Sequence, residues 1–159
     1  YGKQAIEAFR AKRDSHAFTE TVLDIIVSTG ITSNLTTTKD SYYYNSSLAH
    51  CFYNASMVLP SIHKHLHGEV VSFGTLVLHA VDEDDVALER LMTFNHSVGL
   101  PVTLAQLDIT TPEQVNALVD RAATMKEWTC VPYEMTKDKF RNGIYKVDEL
   151  GRKFVAKQS

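Results

Sequence analysis

Apolar residues along this chain recur at intervals of three and four rather than two, the period of helices that each bury one face. Ala5, Ile6 and Phe9 within 3–13, and Phe18, Val22, Ile25 and Ile26 within 17–28, predict two helices, the second capped by Asp14 or Ser15. Gly30 is expected to close the second helix, and the polar, Thr- and Asn-rich stretch 32–40 reads as a loop. From Ser41 the helical period returns, with a core stripe of Leu48, Phe52, Ala55 and Leu59 that Pro60 stops. Residues 60–66 read as a short connection, and 68–81 as a buried helix carrying Val70, Phe73, Leu76 and Val77.

Acids at 82–85 supply the cap and first turn of a helix that runs to Val98, where Gly99 and Pro101 end it. Its core face is Leu88, Leu91, Met92 and Val98. Thr111-Pro112-Glu113 is a helix start with proline at the first position, and Val115, Leu118, Val119 and Ala122 point inward as far as about residue 126. A last helix is predicted over 136–154 through Phe140, Ile144, Val147 and Leu150. No stretch alternates apolar and polar residues as a strand would. The predicted fold class is therefore all-α, a helical bundle.

Composition fits this picture and narrows the partners. The 159 residues, 44% of them hydrophobic, suffice for a single domain with one core. A net charge of −3 gives no basic footprint for nucleic acid. No apolar run has the length of a membrane span, and no signal peptide opens the chain, so a cytoplasmic location is expected. Cys51 and Cys130 are expected to be free, buried thiols.

Chemistry concentrates in the histidines. Five of the seven, His50, His63, His65, His67 and His79, fall within a thirty-residue stretch, whereas His16 and His96 stand apart. Neutral imidazoles are natural ligands for a divalent metal. Two pairings are open. A helix from His50 to Pro60 rises about 15 Å at roughly 1.5 Å per residue, and the seven residues on to His67 span up to ~20 Å when extended, so the chain can return His67 to the level of His50. Alternatively His63 and His67, four apart, share a face if their segment is helical. His79 continues a core stripe and is expected to be structural.

The runs Ala49-His50-Cys51-Phe52-Tyr53-Asn54 and His63-Lys64-His65-Leu66-His67-Gly68-Glu69-Val70-Val71-Ser72-Phe73-Gly74-Thr75-Leu76 resemble the glycerol dehydrogenase branch of the iron-type alcohol dehydrogenase superfamily. So does Val98-Gly99-Leu100-Pro101-Val102-Thr103-Leu104-Ala105-Gln106-Leu107, nearly residue for residue. The likeness extends from about Leu48 to the end of the chain and includes 1–40 only loosely.

The resemblance implies the helical C-terminal half of a metal-dependent, NAD(P)-linked oxidoreductase acting on a polyol or small hydroxy compound. It implies zinc or iron held by His50 and His67, and by an Asp in a Gly-Asp motif expected upstream of Tyr1. NAD(P) would be bound mainly by an N-terminal α/β domain absent from these residues, leaving them inactive alone, and homo-oligomers are the family habit. Glu69, at the following helix start, is expected to orient the His67 ring.

Where the family places a second histidine after the first ligand, this chain has Tyr53. Tyr53, with Phe52 beside it, is expected to line the substrate pocket. The tyrosine run Tyr42-Tyr43-Tyr44 replaces the usual glycine-rich approach. With these departures a small 2-oxo or 2-hydroxy acid is an alternative substrate. A helical module that binds metal through His63 and His67 without redox chemistry is the alternative of another class.

Overall fold

The computed structural model describes residues 1–38 and 47–158, the side chain of Gln158 excepted. The tyrosine run and the predicted helix start at Ser41 lie outside the described residues. The described residues are helical with no strand, as the apolar period predicts. Their contacts form two compact units, Tyr1–Asn45 and Ser46–Ser159. No helix among the described residues is long and apolar enough to cross a membrane.

In the first unit, α1 (Gly2–Arg10) is followed by α2 (His16–Leu23), whose cap Ser15 accepts the Phe18 N–H at 3.1 Å. Phe9 and Phe18 stack between the two helices. Two expectations are corrected here. Gly30 does not end the second helix, and the stretch read as loop is helical as far as Thr36. From α2 the backbone runs through one wide π turn, Asp24–Ser28, directly into α3 (Thr29–Thr36). A mid-helix glycine costs only about 1 kcal/mol, so it does not enforce a stop. Asn34 Nδ2 donates to the Gly30 carbonyl and Thr36 Oγ1 to the Thr32 carbonyl, each at 2.8 Å, so the polar side chains bond along the helix they were expected to break. Nor is the apolar stripe a core face: Ile25 and Ile26 are 61% and 66% exposed.

The second unit holds the hydrophobic core. Helices α4 (Ser47–Ser56), α5 (His67–Val81), α6 (Asp85–Val98), α7 (Pro112–Ala122) and α8 (Lys137–Gln158) surround Phe52, Phe73, Leu76, Leu118, Phe140 and Ile144, all fully buried. Caps fix their starts. Asp84 Oδ1 accepts the Ala87 N–H at 3.0 Å, and Thr111 and Gln114 exchange bonds across the first turn of α7 behind Pro112. Gly99 ends α6 at φ 85°, a left-handed conformation that glycine adopts without cost. Two boundaries move from the sequence reading: α7 stops at Ala122 rather than near 126, and α8 continues to Gln158 rather than Phe154.

α4 and α5 approach closely where Gly74 lies against Ala49; a Cβ at Gly74 would come within 2.4 Å of the Ala49 carbonyl oxygen. The segment after α6 is tied down by side chains: Gln106 Oε1 accepts the N–H groups of Val102 and Thr103, and buried Asp148 of α8 accepts the Leu104 N–H at 2.8 Å. That bonding gives the 98–107 block a structural reason for its sequence.

Candidate metal centre

His50 stands in the first turns of α4, and His67 is the first residue of α5. Between them the chain turns through a 3-10 helix at Pro60–Lys64, then runs extended at His65 and Leu66. This folds the connection back, as the reach across Pro60 allows. The two rings come together with centroids 5.4 Å apart and planes tilted by 42°. Tyr53, one helical turn after His50, presents its ring edge-on to His67 at 4.3 Å.

Metal–nitrogen bonds of about 2.0–2.1 Å put the centroids of two imidazoles around a tetrahedral ion roughly 5 Å apart. The observed separation fits that donor pair. Burial of His50, together with His67, lowers its proton affinity below the ordinary histidine value, and nearby Glu127 opposes them. The imidazole is therefore neutral near pH 7, with a ring nitrogen lone pair available to a cation. No group of three His, Cys, Asp or Glu among the described residues is arranged to hold an ion, so this is a pair and not a closed cage.

The alternative pair does not share one helical face. His63 is exposed in the 3-10 turn, and the extended residues 65 and 66 take it out of the helix that begins at His67. Phe52 is placed differently from the expectation that it lines a pocket. Its ring is fully buried and packs 5.3 Å from that of Phe73, because its position on α4 faces the core. Glu69 also serves another purpose. Its carboxylate accepts the Leu66 N–H at 2.9 Å, closing the N-terminus of α5, and stands 3.7 Å from His65 Nδ1 rather than against the His67 ring. His79, His96 and His16 lie beside Asp84, Phe154 and Tyr1, respectively.

Two contacts near the pair join residues far apart in sequence. His65, 15% exposed, lies with Nε2 2.7 Å from Asp108 Oδ2, which also takes the Lys64 ammonium at 2.9 Å. Hydrogen bonds from Lys64 and His65 hold the Asp108 carboxyl below the usual carboxylate range. The cluster pins the segment leading into His67 to the turn after Ala105–Leu107. Glu127, in the 3-10 turn Lys126–Thr129, is 7% exposed and accepts a bond from Asn54 Nδ2 at 2.9 Å. Asp108 is 43 residues from His65 and Glu127 is 73 from Asn54, so no local spacing signals either contact.

Both cysteines are free, but only Cys51 is buried; Cys130 is partly exposed. Burial, with Glu127 adding to it, pushes the Cys51 thiol up to about 12. At pH 8 roughly one Cys51 in ten thousand is then a thiolate, and the thiolate is the reactive form. Iodoacetamide followed by peptide mass mapping is expected to label Cys130 well before Cys51; equal labelling would contradict this burial.

No protein-family model matches the chain. Among curated proteins it is 33% identical over 111 residues to a glycerol dehydrogenase of Pseudomonas putida, covering 67% of this chain and 30% of that protein. It is also 33% identical over 109 residues to a glycolaldehyde reductase of Halobacterium salinarum, covering 66% and 30%. A crystal structure of a probable glycerol dehydrogenase from Sinorhizobium meliloti 1021 is similar at 32% identity and a TM-score of 0.64, over 67% of this chain and 31% of that one. The chain thus spans about 30% of the length of these curated relatives. With the helical second unit, the motif blocks and these similarities in agreement, the chain belongs to the glycerol dehydrogenase branch of the iron-type alcohol dehydrogenase superfamily.

Proposed function

We propose that this chain is the metal-binding helical part of an NAD(P)-linked oxidoreductase acting on a small polyol or hydroxy compound, with His50 and His67 as two of its metal ligands. The observation that carries the proposal is the approach of those two rings to 5.4 Å from separate helices. The names of the relatives, glycerol dehydrogenase and glycolaldehyde reductase, support the reaction class and the size of the substrate.

The residues divide the work. His50 and His67 present ring nitrogens to one side of a divalent ion, zinc or iron, and leave its other positions for a further ligand and for substrate. When bound, the ion supplies Lewis acidity that lowers the pKa of a substrate hydroxyl or polarises a carbonyl. Tyr53 restricts the rotation of the His67 ring and forms the adjoining wall, where a histidine would have been more polar and smaller. The nicotinamide that exchanges hydride is held mainly outside these 159 residues, so the chain alone binds metal without turnover.

Metal titration of the full chain, by competition with a chromophoric chelator, tests the reading. One equivalent of zinc is expected to bind, and His63→Ala is expected to bind it within twofold of wild type. A site lost in His63→Ala but kept in His50→Ala would replace this proposal with a local, non-redox histidine module.

A further inference from the structure

Glu127 is more than nine-tenths buried, and the partner of its carboxylate is a neutral amide, Asn54 Nδ2. Among the described residues no Lys, Arg or His forms an ion pair with it. A buried carboxylate without a cation is costly, because the lost hydration is not offset by an opposite charge. Asn54 is one helical turn after His50, so the bond holds the carboxylate at the part of α4 that carries the candidate ligand.

We infer that Glu127 supplies the buried negative charge that compensates a divalent cation held by His50 and His67. This rests on the metal-site reading above. Two imidazole ligands add no negative charge to a divalent ion, and a carboxylate in a poorly hydrated position interacts with that ion more strongly than one in water. Glu127 is not a ligand in this arrangement, since no three-residue group encloses an ion. It acts through space on the ion and through Asn54 on the register of α4.

The test compares wild-type chain with Glu127→Gln, which keeps the shape and an oxygen acceptor for Asn54 but deletes the charge. Zinc affinity is read by chelator competition, ligand geometry by the visible spectrum of the cobalt(II)-loaded protein, and the fold by thermal unfolding of the metal-free protein. Glu127→Gln is expected to weaken zinc binding by about tenfold or more, the scale of groups that support ligands from outside the coordination sphere. The cobalt band shape should be unchanged, and the metal-free Tm should equal or exceed that of wild type. Glu127→Asp should recover part of the lost affinity.

Zinc affinity within twofold of wild type in Glu127→Gln would overturn the inference. So would a weaker affinity accompanied by a lower metal-free Tm and no recovery in Glu127→Asp, which assigns Glu127 to packing alone. If His50→Ala binds zinc as wild type does, the metal-site reading itself fails, and that result is distinct from either of these.

Discussion

His50→Ala is expected to weaken zinc binding to this chain by at least ~100-fold, more than the 10–100-fold typical when a group outside the coordination sphere is lost. The reason is geometric. Among the described residues His50 and His67 bring their imidazoles to 5.4 Å, and His63 is separated from the helix of His67 by two extended residues. His67→Ala should cost as much. The double variant should bind little more weakly than either single one, because two groups that act on one ion are not additive. Alanine is a good helix former and His50 is only half-buried, so circular dichroism should show the helices intact. Independent, additive losses would show that the two histidines serve different sites.

Gly74→Val should unfold the second unit or lower its stability by about 3 kcal/mol or more, above the ~1–3 kcal/mol usual for overpacking. The added Cβ would meet a backbone carbonyl, Ala49 O at 2.4 Å, and a helix backbone cannot rotate aside as a side chain can. Relief requires α4 and α5 to separate, and those helices carry His50 and His67, so zinc affinity should fall in any variant that still folds. Gly30→Ala is the contrast. Nothing lies within 4 Å of a Cβ there, and alanine in a helix is favoured over glycine by about 1 kcal/mol, so stability should rise slightly. Urea denaturation of the two variants, followed by far-ultraviolet circular dichroism, separates these outcomes; equal small effects would contradict the close approach.

What the sequence made legible follows from the range of each signal. The helices of the second unit could be read because their core stripes and starts are local: Asp84 caps its own helix, and Thr111 and Pro112 begin the next. Gly30 misled because a helix tolerates glycine when nothing else breaks it, and Asn34 and Thr36 bond along the helix instead of leaving it. The exposed stripe of Ile25 and Ile26 shows that period reveals an apolar face but not whether anything covers it.

The same limit applies to the candidate site. Clustering marks the histidines and the reach across Pro60 permits His50 with His67, but the residues alone leave His63 with His67 open, and only the family resemblance favours His50 and His67. Phe52 follows the core stripe of its helix and not the pocket expected beside Tyr53, since one position along a helix is a rotation of about 100°, enough to turn a side chain from the wall into the core. Glu69 was read as a support for its neighbour, but a glutamate at the third position of a helix finds the cap N–H closer. Glu127 lies in a short turn with no period, and its relation to His50 exists only in three dimensions.

The most direct test is crystallographic: diffraction from the zinc-loaded chain at wavelengths on either side of the zinc edge, with the ion located by anomalous difference density. One strong peak is expected within bonding distance of ring nitrogens of both His50 and His67, beside Tyr53. A peak at His63, at Cys130 or elsewhere, with the His50–His67 pair empty, would contradict it.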